Sequence, residues 1–211
     1  MAAIHEIAYP RLKSHWSQKE LNALFSPSDN EIQWLNSNTK HTLPVSRLGC
    51  LILFKCYQCL GYPISLKEVD PIIKKHIAQA IQIDPNINLD EGYSRMTRNR
   101  HIKNIREYLD ISADTMSRLK VMKKAAMEAA TTKENLADII NCIIEELIRL
   151  RFELPSFYKL VRLARATRTI TNNRHYEKIN QTLSQDKKNL IDKIIGKKNV
   201  KTLRLFPIGE I

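Results

Sequence analysis

Residues 145–175 read EELIRLRFELPSFYKLVRLARATRTITNNRH, from Glu145 to His175. Between Arg149 and Arg174 lie seven cations, Arg149, Arg151, Lys159, Arg162, Arg165, Arg168 and Arg174, against a single acid, Glu153. The pattern predicts a helix ending near Phe152, a tight connection at Leu154-Pro155, and a second helix over about 156–170. Ser156 suits the cap of that second helix, because a serine oxygen accepts from a free N–H of the first turn. Stepping about 100° per residue places Tyr158, Lys159, Arg162 and Arg165 on one side. Phe157, Leu160, Ala164 and Thr167 fall on the other. One face packs and the other offers cations. Two helices joined by a short turn, the second basic along its outer face, make a helix-turn-helix-like element over 134–172, the arrangement that sets a helix into a DNA major groove. A solvated arginine-rich helix gives the same local pattern, so the rest of the chain has to discriminate.

Working outward, the 211 residues suffice for one large domain or two small ones with real cores. Only 5 glycines occur, and no Asn-Gly or Asp-Gly hairpin signal appears. Long stretches of 3.6-residue apolar period complete the case for an all-α fold, two consecutive helical bundles with helix-turn-helix-like elements.

The helix starts are legible in the residues. Ser17-Gln-Lys-Glu20 and Ser28-Asp-Asn-Glu31 are capping boxes, opening helices near 18–25 and 29–36. Pro44 opens a helix of all-round apolarity to Leu60, stopped by Gly61 and Pro63, which should be the buried centre of the first unit. Ser65 starts a short helix, and Asp70-Pro71 leads into Ile72–Ile83. A loop over 84–93 follows, and Thr97 is expected to cap a helix to about Leu109. Its apolar stripe is Ile102, Ile105 and Leu109; Arg100, Lys103 and Arg106 share the outer face, and Arg95 and Arg98 complete a basic focus. Ile111-Ser112 reads as the boundary between a first unit, 1–111, and a second, 112–196. The second unit opens with a helix from about Ala113 to Ala130 that turns Lys120, Lys123 and Lys124 outward. A helix started at Thr132 then carries the core stripe Leu136, Ile139, Ile140, Ile143, Ile144, Leu147 and Leu150. A polar helix over 175–183, a last helix from Ser184 to Ile195 and a basic tail over 197–211 finish the chain.

Charge narrows the partner. Residues 1–110 carry 14 Lys and Arg against 11 Asp and Glu, whereas residues 111–211 carry 20 against 11. A lopsided basic chain of net charge +12 suits a polyanion. No apolar run is long enough to span a membrane, since the Leu48–Leu60 run is broken by Lys55, and the first residues lack the pattern of a signal peptide. Cys50, Cys56, Cys59 and Cys142 form no disulfide framework and fit a reducing compartment. The Cys56-Tyr-Gln-Cys59 pair lies inside an apolar helix with no second ligand pair, so the thiols read as small core residues and no metal is expected.

Catalytic signals are missing. The glycines are isolated and make no phosphate loop, and His5, His15, His41, His76, His101 and His175 show no metal-ligand spacing. Glu145 and Glu146 are neighbours on a helix and point about 100° apart, so they share no site. No cofactor, no small-molecule substrate and no enzymatic activity are expected.

Four local patterns, in order, resemble the N-terminal region of the large replicative transposases of the Tn-three type. Phe25-Ser-Pro-Ser28 before a short helix is similar to that family's Leu-Ser-Pro element. Ser46-Arg47-Leu48-Gly49 resembles its Asn-Arg-Leu-Gly-Phe helix, with Ser46 in place of the Asn and Cys50 in place of the Phe. Tyr93, then Thr97-Arg98-Asn-Arg100-His101 and Ile105-Arg106-Glu-Tyr-Leu109, resembles its Tyr…Arg-x-x-His…Ile-Arg-x-x-Leu block. Leu154-Pro155, Leu160-Val161-Arg162 and Ala164-Arg165 resemble its Leu-Pro…Leu-x-Arg-Leu-Val…Ala-Arg element. The resemblance runs from about Tyr9 to Ile195. It implies a DNA-binding region gripping the terminal inverted repeats of a bacterial transposon. The catalytic acid triad of that family lies in a downstream ribonuclease-H-like domain, and the setting implied is the cytoplasm, at the nucleoid.

The expected function is therefore sequence-specific binding of double-stranded DNA at transposon ends. The expected contacts are Arg95, Arg98, Arg100, Lys103 and Arg106 in the first half and Tyr158, Lys159, Arg162, Arg165 and Arg168 in the second. Self-association is expected only of a full-length protein. Two other readings stay open: a helical module that meets an acidic protein partner, and a non-specific nucleic-acid binder. Few aromatics interleave with the cations, which disfavours single-stranded RNA.

Overall fold

The computed structural model describes residues 7–39, 43–89 and 91–195. Every regular element in them is helical, so the chain is all-α. Helices α1 (Gln18–Phe25) and α2 (Asp29–Asn38) both begin with a closed capping box. In each, the serine hydroxyl accepts from the backbone of the third helical residue, and that residue's Glu side chain accepts from the serine N–H. Helix α3 (Pro44–Leu60) carries Pro at its first turn and ends at Gly61, whose φ of +72° is the left-handed cap that favours glycine. A 3-10 turn, Leu66–Glu68, leads to α4 (Pro71–Ala80), capped by the Asp70 carboxylate on the Ile72 N–H.

Helix α5 (Arg95–Leu109) starts three residues before the expected position. Ser94, not Thr97, is the cap, its hydroxyl accepting from the Thr97 N–H at 3.1 Å. Asp114 caps α6 (Thr115–Thr132), and Asn135 caps α7 (Leu136–Arg149). Thr132 closes α6 rather than opening the next helix, because Asn135 supplies the better-placed acceptor for the Ala137 N–H. Helix α8 runs over Phe157–Thr182, so the expected separate helix over 175–183 is its continuation. No Pro or Gly interrupts that stretch, and polarity alone does not end a helix. Helix α9 spans Gln185–Ile195. The tail expected over 197–211 lies outside the described residues.

Of the described residues, 7–167 form one compact unit and 168–195 a second, the division falling within α8. The first unit holds two apolar cores. In one, α3 is central: Leu51, Ile52, Phe54 and Cys56 are wholly buried, enclosed by Leu21 and Phe25 of α1, Leu35 of α2, Ile73 and Ile77 of α4, and Ile102 and Ile105 of α5. In the other, α6 and α7 pair closely. Ala125, Ala126, Ala129 and Ala130 make a thin α6 face that admits Ile139, Ile140, Ile143 and Leu147 of α7. Leu160 and Ala164 of α8 and Ile7 of the N-terminal arm close this core. Each fully buried Leu or Ile contributes roughly 1.5–3 kcal/mol.

The connection from α7 to α8 is longer and more structured than a helix-turn-helix turn of about three or four residues. Helix α7 stops at Arg149, ahead of the expected Phe152. Arg151 then takes a left-handed φ of +54°, which swings Phe152 into a parallel bridge with Ser112. The Ser112 N–H donates to the Arg151 carbonyl at 2.8 Å and the Glu153 N–H to the Ser112 carbonyl at 2.9 Å. Leu154 N–H then donates to the Gly61 carbonyl at 2.9 Å, tying the connection to the end of α3.

Candidate nucleic-acid interface

The faces of α8 have the phase that its periodicity dictates. Leu160, Ala164 and Thr167 are buried and Phe157 is half-buried, while Lys159, Arg162 and Arg165 are exposed. Tyr158 is 72% exposed, more than a packed or structurally anchored tyrosine would be. The backbone carbonyl of Ser156 accepts from the N–H groups of Lys159 and Leu160, at 2.9 and 3.4 Å, so Ser156 stands where the helix begins. Neither Lys159 nor Arg162 enters an ion pair with an acid among the described residues. Arg168 is half-buried and belongs to the second unit.

The start of α8 is held by the N-terminal arm. Ile7 is buried in the second core, and the Ala8 N–H donates to the Asn141 side chain at 2.8 Å. Tyr9 stacks on Tyr62 with ring centroids 5.3 Å apart, meets Phe157 edge-on at 5.6 Å, and donates its hydroxyl to the Pro155 carbonyl at 3.0 Å. Burial pushes the Tyr9 hydroxyl well above its ordinary range, so it stays a donor. Tyr62 in turn donates to the Pro10 carbonyl at 3.0 Å.

The basic focus on α5 is thinner than its sequence. Arg95 and Arg100 are exposed, and exposed Lys103 has Glu107 one turn away at 3.8 Å. Arg98 points back to the fold, donating to the Ile64 carbonyl at 2.9 Å. Arg106, expected on the outer face, turns inward instead: its Nε donates to Glu153 at 2.8 Å and a terminal nitrogen lies 2.6 Å from the same carboxylate. The reason is a buried acid from a distant segment. Glu153 also accepts from the Tyr57 hydroxyl at 2.6 Å, and Arg118 lies 3.5 Å away while donating to the Glu153 carbonyl at 3.0 Å. Burial and the Glu153 contact raise the Tyr57 hydroxyl far above its ordinary range. Burial works against the Arg106 charge, but the bonds to Glu153 and Tyr57 outweigh it and hold the guanidinium above its usual value.

The same inward turn marks the rest of that segment. Tyr93 bonds His101 Nδ1 at 2.8 Å, and burial, with a smaller contribution from the Arg100 charge, lowers His101 to about 4. His101 is therefore neutral and fully buried. Gly49 lies beneath the Tyr93 ring, where a Cβ would stand 2.8 Å from the nearest ring carbon. Cys50 and Cys56 are core residues, their thiols pushed up to about 12 by burial. Among the described residues no cluster of three His, Cys, Asp or Glu is placed to hold a metal ion, and no helix is long and apolar enough to cross a membrane.

Sequence reading missed Arg11. Its guanidinium stands 5.1 Å from the centroid of the Phe157 ring, at the start of α8. The arm lacks periodicity, so nothing local signals that it is anchored. Arg118 and Tyr57 were missed as well, because nothing local announces a partner far along the chain.

The expected surface thus separates into two groups. Tyr158, Lys159, Arg162 and Arg165 stand outward on α8, and Arg95, Arg100 and Lys103 on α5, whereas Arg98 and Arg106 serve the fold. No curated protein matches the chain. A family model described as "Domain of unknown function (DUF4158)" matches residues 1–167, which take in both cores and the first turns of α8. The chain belongs to the DUF4158 family.

Proposed function

We propose that this region binds double-stranded DNA as the N-terminal part of a Tn-three-type transposase, gripping the terminal inverted repeats of its transposon. The observation that carries the reading is the outward face of α8, where Lys159, Arg162 and Arg165 flank a 72%-exposed Tyr158. Three cations on one rigid helix meet phosphates in a fixed register, and an arginine fork can take both acceptors of a guanine edge. Membership of a family known in Tn-three-type transposases supports the same reading. In this role the region contributes grip and register, and strand cleavage belongs to a separate ribonuclease-H-like domain. The setting would be the bacterial cytoplasm, at the nucleoid.

A salt titration of binding tests the reading. Fluorescence anisotropy with random duplex, single-stranded DNA and RNA of equal length should rank duplex first. Six phosphate contacts, from Lys159, Arg162, Arg165, Arg95, Arg100 and Lys103, give a slope of log K against log salt near −5, or about three decades between 50 and 200 mM salt. A flat slope, or no duplex binding at about 50 mM salt, overturns the proposal and favours an acidic protein partner.

A further inference from the structure

We infer that the N-terminal arm is a second element of the same duplex-binding surface, with Arg11 as its phosphate contact. The inference rests on the DNA-binding reading of α8. Four anchors hold the arm in a single path: buried Ile7, the Ala8 bond to Asn141, the Tyr9 bond to Pro155, and the Tyr62 bond to the Pro10 carbonyl. Two of these, Asn141 and Pro155, lie on the α7–α8 segment that presents the basic helix. The arm therefore moves with α8 as one body.

Arg11 follows these anchors directly and is exposed. Its guanidinium carbon lies over the Phe157 ring, 5.1 Å from the centroid, and Phe157 is next in the chain to Tyr158. A single ring covers one side of a guanidinium with five N–H donors, and Arg11 remains exposed, so donors are left for a ligand. Arg11 makes no ion pair with an acid among the described residues. An arginine resting against a ring and still exposed is pre-organised to bond a phosphate oxygen, at less ordering cost than a free surface arginine.

Arg11 thereby stands beside the first turn of α8, at the end of the helix from which Tyr158 and Lys159 also project. The contact is to the backbone and carries no sequence information, so it should affect all duplexes alike.

The test uses the full chain and a fluorescein-labelled random duplex of about 30 base pairs, titrated at several salt concentrations. Arg11→Met should weaken binding about 3- to 10-fold at about 100 mM salt and make the salt slope shallower by about 0.9, the signature of one lost phosphate contact. Arg11→Lys, which keeps the charge, should keep the wild-type slope. Arg11→Met that binds with wild-type affinity and slope overturns the inference, while loss of binding in the Arg162→Ala/Arg165→Ala variant leaves the DNA reading standing. Equal weakening by Met and Lys with an unchanged slope also overturns it, because that result assigns Arg11 a purely structural part. A wild-type chain that binds no duplex removes both.

Discussion

Replacing Glu153 by Ala should unsettle the join between the two cores more than any single apolar truncation at their edges. Glu153 is 9% exposed and gathers Tyr57 of α3, Arg106 of α5 and Arg118 of α6 on one carboxylate. Its removal strands a buried hydroxyl and two guanidiniums, of which the Arg118 side chain is 11% exposed and the Arg106 side chain 30%. Arg118 retains its bond to the residue-153 carbonyl, so the loss falls mainly on Arg106 and Tyr57. Breaking a buried pair from one side costs about 3–5 kcal/mol, because the remaining charge stays desolvated. Tyr57→Phe removes a single neutral donor while Glu153 keeps both arginines, and should cost only about 1 kcal/mol. Urea unfolding followed by circular dichroism measures both, with the slope of the transition showing whether the native state itself has loosened. Expected is a large drop in midpoint for Glu153→Ala at unchanged slope, and a small one for Tyr57→Phe. If Glu153→Ala stays within about 1 kcal/mol of wild type, the three-way cluster is not what holds the connection before α8.

Two further perturbations follow from the packing. His101 is held neutral, down to about 4 against an ordinary 6.5, so between those values the unfolded chain takes up the proton first. Stability should therefore be complete above about pH 6.5 and fall by up to about 3 kcal/mol on acidification to pH 4. Comparing wild type with His101→Gln across that range checks this, and identical pH profiles would refute it. Gly49→Ala drives a methyl against the Tyr93 ring at 2.8 Å, and the ring is tied to His101, so a loss of about 1–3 kcal/mol is expected in thermal melting. A neutral Gly49→Ala would show that Tyr93 gives way freely.

Much of this fold could be read from local residues, because local chemistry decides it. The capping boxes at Ser17 and Ser28, the Pro44 start and the Gly61 stop each act within one helical turn. The phase of α8 follows from 3.6 residues per turn and needed no tertiary information. Reading failed where the deciding partner was remote. Arg106 looked like an outward cation on its own helix, but its destination, Glu153, is 47 residues further along the chain. Thr97 was a reasonable cap until Ser94, three residues earlier, proved to hold the helix while Tyr93 reached His101. Several residues behind the transposase resemblance proved to be packing residues, among them Gly49 under Tyr93, His101, Arg98 and Arg106. A family pattern marks what the fold needs as readily as what the function needs. The surface residues that carry the proposed function, Lys159, Arg162 and Arg165, were legible only as a face, and Arg11 was not legible at all.

The central claim is that the outer face of α8 meets duplex DNA, and one measurement addresses it most directly. Binding of wild type and of the Arg162→Ala/Arg165→Ala variant to a duplex carrying the terminal repeat of the proposed transposon should be compared at about 100 mM salt, with thermal melting of each protein alongside. Both side chains are exposed, so melting should move no further than ordinary surface substitutions move it, about 0.5 kcal/mol each. Affinity should fall at least about tenfold, equivalent to about 1.4 kcal/mol, and by more if either arginine reads a guanine. A folded variant that binds the repeat as tightly as wild type would contradict the account.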